Sequence, residues 1–219
     1  MTAGDTADWD DLFAGQLLPL VFALVLDAWD RFKKPAADER EDATSLRLHS
    51  AMVQGKDRQR HPFLIRYQDV EVDTDLAEVT GRKDIVFFPS TDEDIYFCLE
   101  AKRLNALVSG ARRSLADEYV KKGMQRFVDR RYSRHVHHGG MLGYVLDGQV
   151  DRAMGNVANV IRLHYENLGM KPPGEMRPSG FRLSDEHARE TYHKRREDPV
   201  LFRIHHLFVA SLPRNGLAT

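Results

Sequence analysis

The hydrophobic and polar positions along the chain predict helices and strands in turn. Apolar residues recur at three- and four-residue intervals over 9–32, which predicts an amphipathic N-terminal helix. A second helix follows the polar connection 33–43 and ends near Gly55. The rest of the pattern predicts strands at 61–72, 84–89 and 95–101, a helix at 114–132, a strand at 141–146, a helix at 149–168 and a final strand at 200–209. The connections include a polar turn at 90–94, a Pro- and Gly-rich loop at 172–180 and a charged segment at 184–198. This order predicts an α/β fold with a mixed central sheet.

Length and composition favour one domain with a hydrophobic core. The chain has 219 residues, of which 42% are hydrophobic and 30% are charged, and both fractions are typical of a globular protein. The single cysteine, Cys98, excludes a disulfide framework and a zinc site built from cysteines. We therefore expect a single domain over residues 1–219.

The most apolar stretch of the chain is too short to span a membrane. Leu17 to Leu26 comprises ten residues, whereas a membrane-spanning helix needs about twenty. Acidic residues follow Met1 where a secretory signal would carry basic ones. We therefore expect a buried helix, no membrane association and a cytoplasmic location.

The charge is unevenly distributed along the chain. The formal net charge is only −1, yet residues 101–135 carry ten lysines and arginines against three acidic residues. This basic zone therefore has a charge of +7 and the remainder of the chain has −8. Such a zone suits a polyanionic partner such as nucleic acid, although it also fits a solvated helix face.

Two acidic residues stand in neighbouring predicted strands. Asp84 opens one strand, and Glu100 lies two residues before Lys102 at the end of the next. Side chains alternate along a strand, so Glu100 and Lys102 share a face, and a hairpin would bring Asp84 beside Glu100. Carboxylates bind Mg²⁺, which drives phosphodiester chemistry, so the pattern predicts a metal site with a cation at its rim. Taken singly, the same residues also fit a polar strand start and an exposed ion pair.

The order of elements, with an acidic residue in the second strand and Glu-x-Lys in the third, resembles the PD-(D/E)xK nuclease superfamily, which has the restriction-endonuclease-like fold. The resemblance covers about residues 38–165. It implies an αβββαβ core with a mixed central sheet flanked by helices. The N-terminal helix 9–32 and residues 170–219, with their C-terminal strand, would be additions to that core.

This resemblance assigns roles to particular residues. Asp84 matches the aspartate of the motif, Glu100 its second acid and Lys102 its lysine. A glutamate of the first core helix would complete the catalytic set. Glu41 matches that position better, with Glu39 close behind. The resemblance thus implies a Mg²⁺ site, in which Mn²⁺ can substitute, formed by Asp84, Glu100, Glu41 and the carbonyl of Ala101. Lys102 would orient or deprotonate the attacking water, or offset the charge of the phosphate.

The chain departs from the superfamily pattern at two places. Lys83 stands where the name-giving proline would be. The Gln-x-x-x-Tyr pair of some relatives is incomplete, because Asp129 follows Gln125 at the tyrosine position and Tyr132 comes three residues later. The role of that pair is therefore not carried over.

The function implied is that of a Mg²⁺-dependent endo- or exonuclease that hydrolyses phosphodiester bonds, with DNA favoured over RNA as the substrate and the choice between them left open. Relatives of this size act as effector subunits in restriction or anti-phage defence systems. The chain has no recognisable sequence-reading module, so specificity would come from loops, from a homodimer or from a partner protein subunit. The basic zone supplies the candidate contacts to the nucleic-acid backbone: Arg112, Arg113, Lys121, Lys122, Arg126 and Arg130.

Two other functions remain open at the level of sequence. The chain could be a non-catalytic, nuclease-like subunit that binds nucleic acid or serves assembly. It could also be an unrelated α/β protein in which the motif is accidental. The intact set of Asp84, Glu100 and Lys102 favours the enzyme, because a purely structural descendant has no chemical reason to keep it.

Overall fold

The structure, a computed structural model, describes six stretches of the chain: 13–73, 77–89, 95–134, 136–182, 184–196 and 198–211. The predicted start of the first helix, 9–12, and the predicted turn at 90–94 lie outside these residues. Within the described stretches, no helix combines the length and the apolar character needed to cross a membrane.

Four helical segments occur in the described residues. A π-helical turn, Phe13–Leu17, leads into α1 (Leu18–Arg31), and α2 spans Glu41–Gly55. Segment α3 joins three short pieces, and α4 is regular: α3 comprises Ala116–Glu118, the π-helical Tyr119–Met124 and Gln125–Val128, and α4 is Val150–Leu163. Helix α3 is shorter than predicted because Leu115 and Arg130, which flank it, adopt left-handed backbone angles (φ 57° and 59°) that a helix cannot contain.

Seven strands form one mixed sheet in the described part of the chain. The described residues contain nine strands in all. In chain order they are β1 (Phe63–Asp73), β2 (Glu78–Pro89), β3 (Phe97–Leu104), β4 (Ala106–Val108), β5 (Ala111–Arg113), β6 (His138–Val145), β7 (Arg177–Pro178), β8 (Ala188–His193) and β9 (Phe202–Ala210). Their order in the sheet is β1-β2-β3-β6-β9-β8-β7, while β4 and β5 form a separate hairpin. The pairs β3–β6 and β6–β9 are parallel, and the others are antiparallel. The α/β class and the mixed sheet flanked by helices agree with the sequence prediction.

The C-terminal part of the chain contributes more of the sheet than its sequence predicts. The charged segment 184–198 contains β8, which the hydrophobic pattern did not identify. Its buried residues include Thr191 and His193, whose polar groups are satisfied by hydrogen bonds, so burial leaves no apolar signal there. Strand β9 lies between β6 and β8, in the interior of the sheet.

Each face of the sheet carries its own hydrophobic core. Helices α1 and α2 cover one face, where Phe22, Trp29, Leu48 and Met52 pack on apolar side chains of β2, β3 and β6. Segment α3 and helix α4 cover the other face, with side chains that include Phe127. Alternation along the buried strand β3 supplies both cores, since residues 97, 99 and 101 face α1 and α2 and residues 98 and 104 face α3 and α4.

A buried chain of hydrogen bonds connects α3, β8 and β9. The Leu168 carbonyl can only accept, so His193 carries its proton on Nδ1 (2.7 Å), and His193 Nε2 accepts from the Thr191 hydroxyl (2.7 Å). Thr191 Oγ1 must then accept from His206 Nε2 (2.9 Å), and His206 Nδ1 accepts from the Tyr119 hydroxyl (2.9 Å). In this arrangement each contact has one donor and one acceptor, and each histidine carries a single ring proton and is therefore neutral. Burial accordingly lowers the pKa of His193 to about 4 and that of His206 to about 3.

We expect acid to destabilise the fold through these two histidines. Below the ordinary pKa of 6.5 the two histidines are protonated in the unfolded chain but stay neutral in the folded chain. The free energy of unfolding therefore falls as the pH drops from 6.5 toward 4. Each histidine should contribute a loss of about 2 kcal/mol at about pH 5. Urea unfolding between pH 5 and pH 7 measures this effect.

The variant His206→Gln isolates the contribution of one histidine. It should be less stable than the wild type at pH 7, because the amide replaces the ring imperfectly, but its stability should fall less steeply toward pH 5. Parallel pH dependences of the two proteins would contradict the assignment of neutral, buried histidines.

Candidate functional site

The pairing of β2 with β3 brings Asp84 next to Glu100. The ladder between the two strands ends with the pair Ile85 and Leu99, and the next pair in the same register is Asp84 with Glu100. Asp84 Oδ2 accepts a hydrogen bond from the backbone N–H of Ala101 at 2.8 Å. The carboxylate of Asp84 thus bonds to the backbone of β3 beyond the last ladder pair.

Strand β2 changes face at Asp84. Lys83 Nζ lies 4.1 Å from the centre of the Tyr96 ring, on the side of the sheet that α3 covers. Ile85 belongs to the core on the α1–α2 side. Residues two apart in a regular strand share a face, so the regular alternation is broken between Lys83 and Ile85. Asp84, whose carboxylate bonds to the backbone of β3, is the residue at this break.

Glu100 is a buried carboxylate with two cations on one oxygen. Its exposed fraction is 1%. Oε1 accepts from Lys102 Nζ at 2.7 Å and from Arg126 Nη1 at 2.7 Å. Oε2 is buried and has no hydrogen-bond partner among the described residues. An unpartnered, buried carboxylate oxygen is costly, so this oxygen is a candidate ligand position.

Lys102 connects β3 to the start of α2. Its Nζ donates to Glu100 Oε1 (2.7 Å), to Glu41 Oε1 (2.9 Å) and to the carbonyl of Ala101 (2.8 Å). An ammonium group has three N–H donors, so all three are used. Glu41 Oε2 also accepts from the backbone N–H of Arg103 at 3.1 Å. Glu41, the first residue of α2, is thereby fixed against β3.

The two glutamates that the sequence left open take different positions. Glu41 contacts Lys102, as described above. Glu39 instead accepts hydrogen bonds from Thr44 Oγ1 (2.9 Å) and from Arg47, and so stabilises the first turns of α2. Glu41 is therefore the glutamate that joins the cluster with Asp84 and Glu100.

Burial and mutual repulsion raise the pKa values of the two strand carboxyls. Burial raises the pKa of Asp84 to about 6, although Lys102 and the Ala101 N–H oppose it. Burial, and then the charge of Asp84, raise the pKa of Glu100 to about 7. Burial lowers the pKa of Lys102, but the carboxylates of Glu100, Glu41 and Asp84 outweigh it and raise that pKa overall. At neutral pH the cluster therefore combines a charged lysine with carboxyls that lack full compensation.

Asp84 and Glu100 are the residues of this cluster whose oxygens could hold a hard divalent cation. Three carboxylates face two cations, Lys102 and Arg126, so the fully ionised cluster carries a charge of −1, and Glu100 Oε2 is open. Carboxylate oxygens are the ligands that Mg²⁺ and Mn²⁺ prefer. As arranged, no group of three or more His, Cys, Asp or Glu side chains in the described residues is ready to hold a metal. Glu41 and the Ala101 carbonyl are engaged by Lys102 instead.

A cavity of about 200 Å³ opens beside Lys102. Its lining joins the start of α2, the end of β3 and the start of α3: Arg40, Glu41, Asp42, Lys102, Arg103, Leu115 and Glu118. The cavity gives a small molecule or a backbone phosphate an approach to the cluster from the Glu41 side.

Of the six basic residues predicted to contact nucleic acid, Arg126 alone touches the carboxylates in the described part of the chain. Lys121 and Lys122 make exposed ion pairs one turn back along α3. Arg112 donates to the Asn105 carbonyl at 2.8 Å. The others lie on the β5 edge and in the turn after α3: Arg113 and Arg130.

Sequence reasoning missed the role of Tyr132. Its hydroxyl accepts from Arg126 Nη1 at 2.7 Å and donates to the Arg82 carbonyl at 2.5 Å. Gln125, by contrast, donates to Asp129 at 2.7 Å on the surface. An Arg and a Tyr six residues apart around the end of a helix form no periodic pattern, so the sequence carried no signal for this pair.

The departure at Lys83 also has a structural account. Lys83 is 3% exposed, and its Nζ lies 3.0 Å from Asp69 Oδ2 and 2.6 Å from Glu71 Oε2. These two partners come from β1, so Lys83 belongs to a separate ion-pair group and not to the Asp84–Glu100 cluster.

Comparison with protein families, curated proteins and solved structures shows no family for this chain. No protein-family model matches it, and neither a curated protein nor a solved structure matches it. What the fold and the site define is an α/β domain with a cluster of three carboxylates and a lysine, in which Glu100 and Lys102 are buried, on β2, β3 and the start of α2.

Removing the Lys102 charge should destabilise the protein in a pH-dependent way. Lys102→Met leaves Glu41 without its cation and Glu100 with Arg126 alone, which should cost about 3 kcal/mol of unfolding free energy at pH 8. The cost should shrink at pH 5, because Asp84 and Glu100, whose pKa values are about 6 and about 7, are then protonated. Urea unfolding at both pH values measures the difference.

The exposed Lys121 provides the matched control. Its ion pair with Asp117 lies on the surface of α3, so Lys121→Met should change the stability by less than about 1 kcal/mol at either pH. The double variant Lys102→Met/Glu100→Gln should recover part of the loss. An equal loss for Lys102→Met at pH 8 and pH 5 would refute the charge compensation.

Proposed function

We propose that the protein is a divalent-metal-dependent nuclease of the restriction-endonuclease-like fold that hydrolyses phosphodiester bonds, in DNA rather than RNA. The observation that carries the proposal is the convergence of Asp84, Glu100 and Lys102 on adjoining positions of β2 and β3, with a buried Glu100 oxygen left open. Such an arrangement has a chemical use in phosphate transfer and a cost as pure structure.

The order of elements supports the same proposal. Helix α2, strands β1 to β3, segment α3 and strand β6 occur in the αβββαβ order of that fold, with the β4–β5 hairpin inserted between β3 and α3. Strands β1 to β3 are antiparallel neighbours, and β6 pairs in parallel with β3. The carboxylates stand on the second and third of these strands, where the superfamily motif has them.

The residues of the cluster divide the chemistry among them. Asp84 and Glu100 would hold the metal. Glu41, whose Oε1 accepts a hydrogen bond from Lys102, would join them as a further carboxylate ligand. The bound metal would supply charge stabilisation and an activated water. The raised pKa of Lys102 keeps it protonated at neutral pH. Its charge therefore favours orienting the water or offsetting the phosphate charge over removing a proton.

The second candidate function is a non-catalytic, nuclease-like subunit in an assembly. The observation that favours it is the closed ion-pair network, in which all three Lys102 donors and Glu100 Oε1 are already satisfied. A protein that never exchanges these contacts would keep the cluster as structure alone. Metal binding separates the two functions, because only the enzyme needs it.

A nuclease assay tests the proposal directly. The wild type should cleave plasmid, linear duplex or single-stranded DNA with Mg²⁺ or Mn²⁺, should act less well on RNA, and should be inactive with EDTA. Glu100→Gln and Asp84→Asn should lose about 1,000-fold in rate, since each removes a metal ligand. Glu41→Gln should lose activity while Glu39→Gln, two residues away, should not.

Thermal unfolding supplies a measurement that does not depend on activity. Mg²⁺ or Mn²⁺ in excess should raise the melting temperature of the wild type, because a ligand of the folded state stabilises it. The Glu100→Gln variant should show no such rise. Undiminished cleavage by folded Glu100→Gln and Lys102→Ala proteins would exclude this site, and absence of both cleavage and metal binding in the wild type would favour the non-catalytic subunit.

A further inference from the structure

Arg126 differs from the other basic residues of α3 in being anchored at the carboxylate cluster. Nη1 lies 2.7 Å from Glu100 Oε1 and 2.7 Å from the Tyr132 hydroxyl. Those two acceptors use both hydrogens of Nη1. The neighbouring Lys122 is paired instead with Glu118 at 3.6 Å, on the exposed side of the segment.

The other edge of the Arg126 guanidinium is unused. Its Nε–H and Nη2–H groups make no hydrogen bond to the described residues, and 37% of the side chain is exposed. These two groups form the planar fork that binds two oxygens of a carboxylate or a phosphate. Arg126 therefore has one edge on Glu100 and a second edge without a hydrogen-bond partner among the described residues, on a side chain that is partly exposed.

Tyr132 fixes the position of that guanidinium. Its hydroxyl donates to the Arg82 carbonyl at 2.5 Å while it accepts from Arg126. The ring packs edge-on against Phe127, with centroids 5.7 Å apart. On its other side the ring lies against Gly81, where a Cβ would collide with it. A ring held at this many points gives Arg126 one position.

The unused donors of Arg126, and not the net charge of the cluster, point to an anionic ligand for the open fork. Lys102 and Arg126 both donate to Glu100 Oε1, which uses the two lone pairs of that oxygen. Lys102 spends its three donors inside the protein. Within the described residues, Arg126 is the member of the pair that keeps unused donors, and its side chain is the more exposed of the two.

We propose that Arg126 is a catalytic residue whose open edge binds the phosphate undergoing cleavage, and that Tyr132 is the positioning residue that holds it there. This inference rests on the proposed nuclease function and assigns that site its phosphate contact. Arg126 keeps its hydrogen bond from Nη1 to Glu100 and donates from Nε and Nη2 to two phosphate oxygens. These contacts align the phosphate with the carboxylates. Lys121 and Lys122, on the outer side of α3, contact only the flanking backbone.

Two measurements on the full chain test the proposal. The first is the dissociation constant of a fluorescein-labelled 20-base-pair DNA duplex with Ca²⁺, by fluorescence anisotropy. The second is the single-turnover cleavage rate with Mg²⁺ at saturating protein. Arg126→Gln should weaken binding about 10-fold, because it removes one bidentate charged contact. It should slow the saturating rate about 100-fold, since that contact is strongest in the transition state.

The control and the conservative variant separate charge from geometry. Arg162 is an exposed residue of α4 that donates to Asn159 Oδ1 at 3.0 Å, and Arg162→Gln should leave both the binding and the saturating rate within about 3-fold of the wild type. Arg126→Lys keeps a charge beside Glu100 but not the fork, so its rate should stay at least about 10-fold low while its binding recovers. If Arg126→Gln fails to fold, Arg126→Lys decides the question, and a wild-type rate for it overturns the proposal.

A double-variant cycle tests the positioning role of Tyr132. Tyr132→Phe removes only the hydroxyl and should slow the saturating rate about 10-fold with binding nearly unchanged. The double variant Arg126→Gln/Tyr132→Phe should be no slower than Arg126→Gln, because Tyr132 acts through Arg126. Additive losses would overturn the positioning role.

The outcomes also separate this inference from the proposed function. If the wild type cleaves and Arg126→Gln binds and cleaves like it, the inference fails and the nuclease stands. If the wild type cleaves nothing, the proposed function fails, and DNA binding weakened about 10-fold by Arg126→Gln but not by Arg126→Lys still supports the phosphate contact. Unchanged binding in that case overturns it.

Discussion

The burial of the Glu100 carboxylate is the constraint on which the rest of the site depends. At 1% exposure an unpaired carboxylate would cost several kcal/mol, so β3 needs cations beside it. Lys102 supplies one from the same strand, and Arg126 supplies the other from α3. Lys102 also binds Glu41, which fixes the start of α2. One charge requirement thus holds a strand and two helical elements together around a single point.

The C-terminal part of the chain supports this point from a distance. Arg195 is 2% exposed and donates to the carbonyls of Ser133 and Val136 at 2.7 and 3.0 Å, while Asp198 pairs with it at 2.6 Å. Ser133 directly follows Tyr132, the residue that holds Arg126. The segment between β8 and β9 therefore fixes the loop that leads away from the site. Residues that follow the αβββαβ elements in the chain, such as Arg195, therefore help to support the site. Strand β9, which also follows those elements, lies between β6 and β8 in the interior of the sheet.

The same network fits two functions because some of its polar groups have all their hydrogen-bond partners and others lack them. Lys102 and Glu100 Oε1 are fully engaged, as in a structural ion-pair cluster, yet Glu100 Oε2 and one edge of Arg126 have no partner among the residues that the structure describes. The raised pKa values of Asp84 and Glu100 express this shortage of positive charge. A divalent cation and a phosphate would satisfy the unused groups. These unsatisfied groups and raised pKa values are the features that favour the proposed catalytic site over a structural one.

The sequence by itself determined the α/β class, the two strands that carry Asp84 and Glu100, and the shared face of Glu100 and Lys102, because these follow from local periodicity. It did not predict β8, whose buried Thr191 and His193 are polar and satisfied by hydrogen bonds with distant residues. The choice of Glu41 over Glu39, and the joining of Arg126 to Tyr132, were decided only by the tertiary structure. Each depends on the distance between side chains of separate elements, which a one-dimensional pattern does not contain.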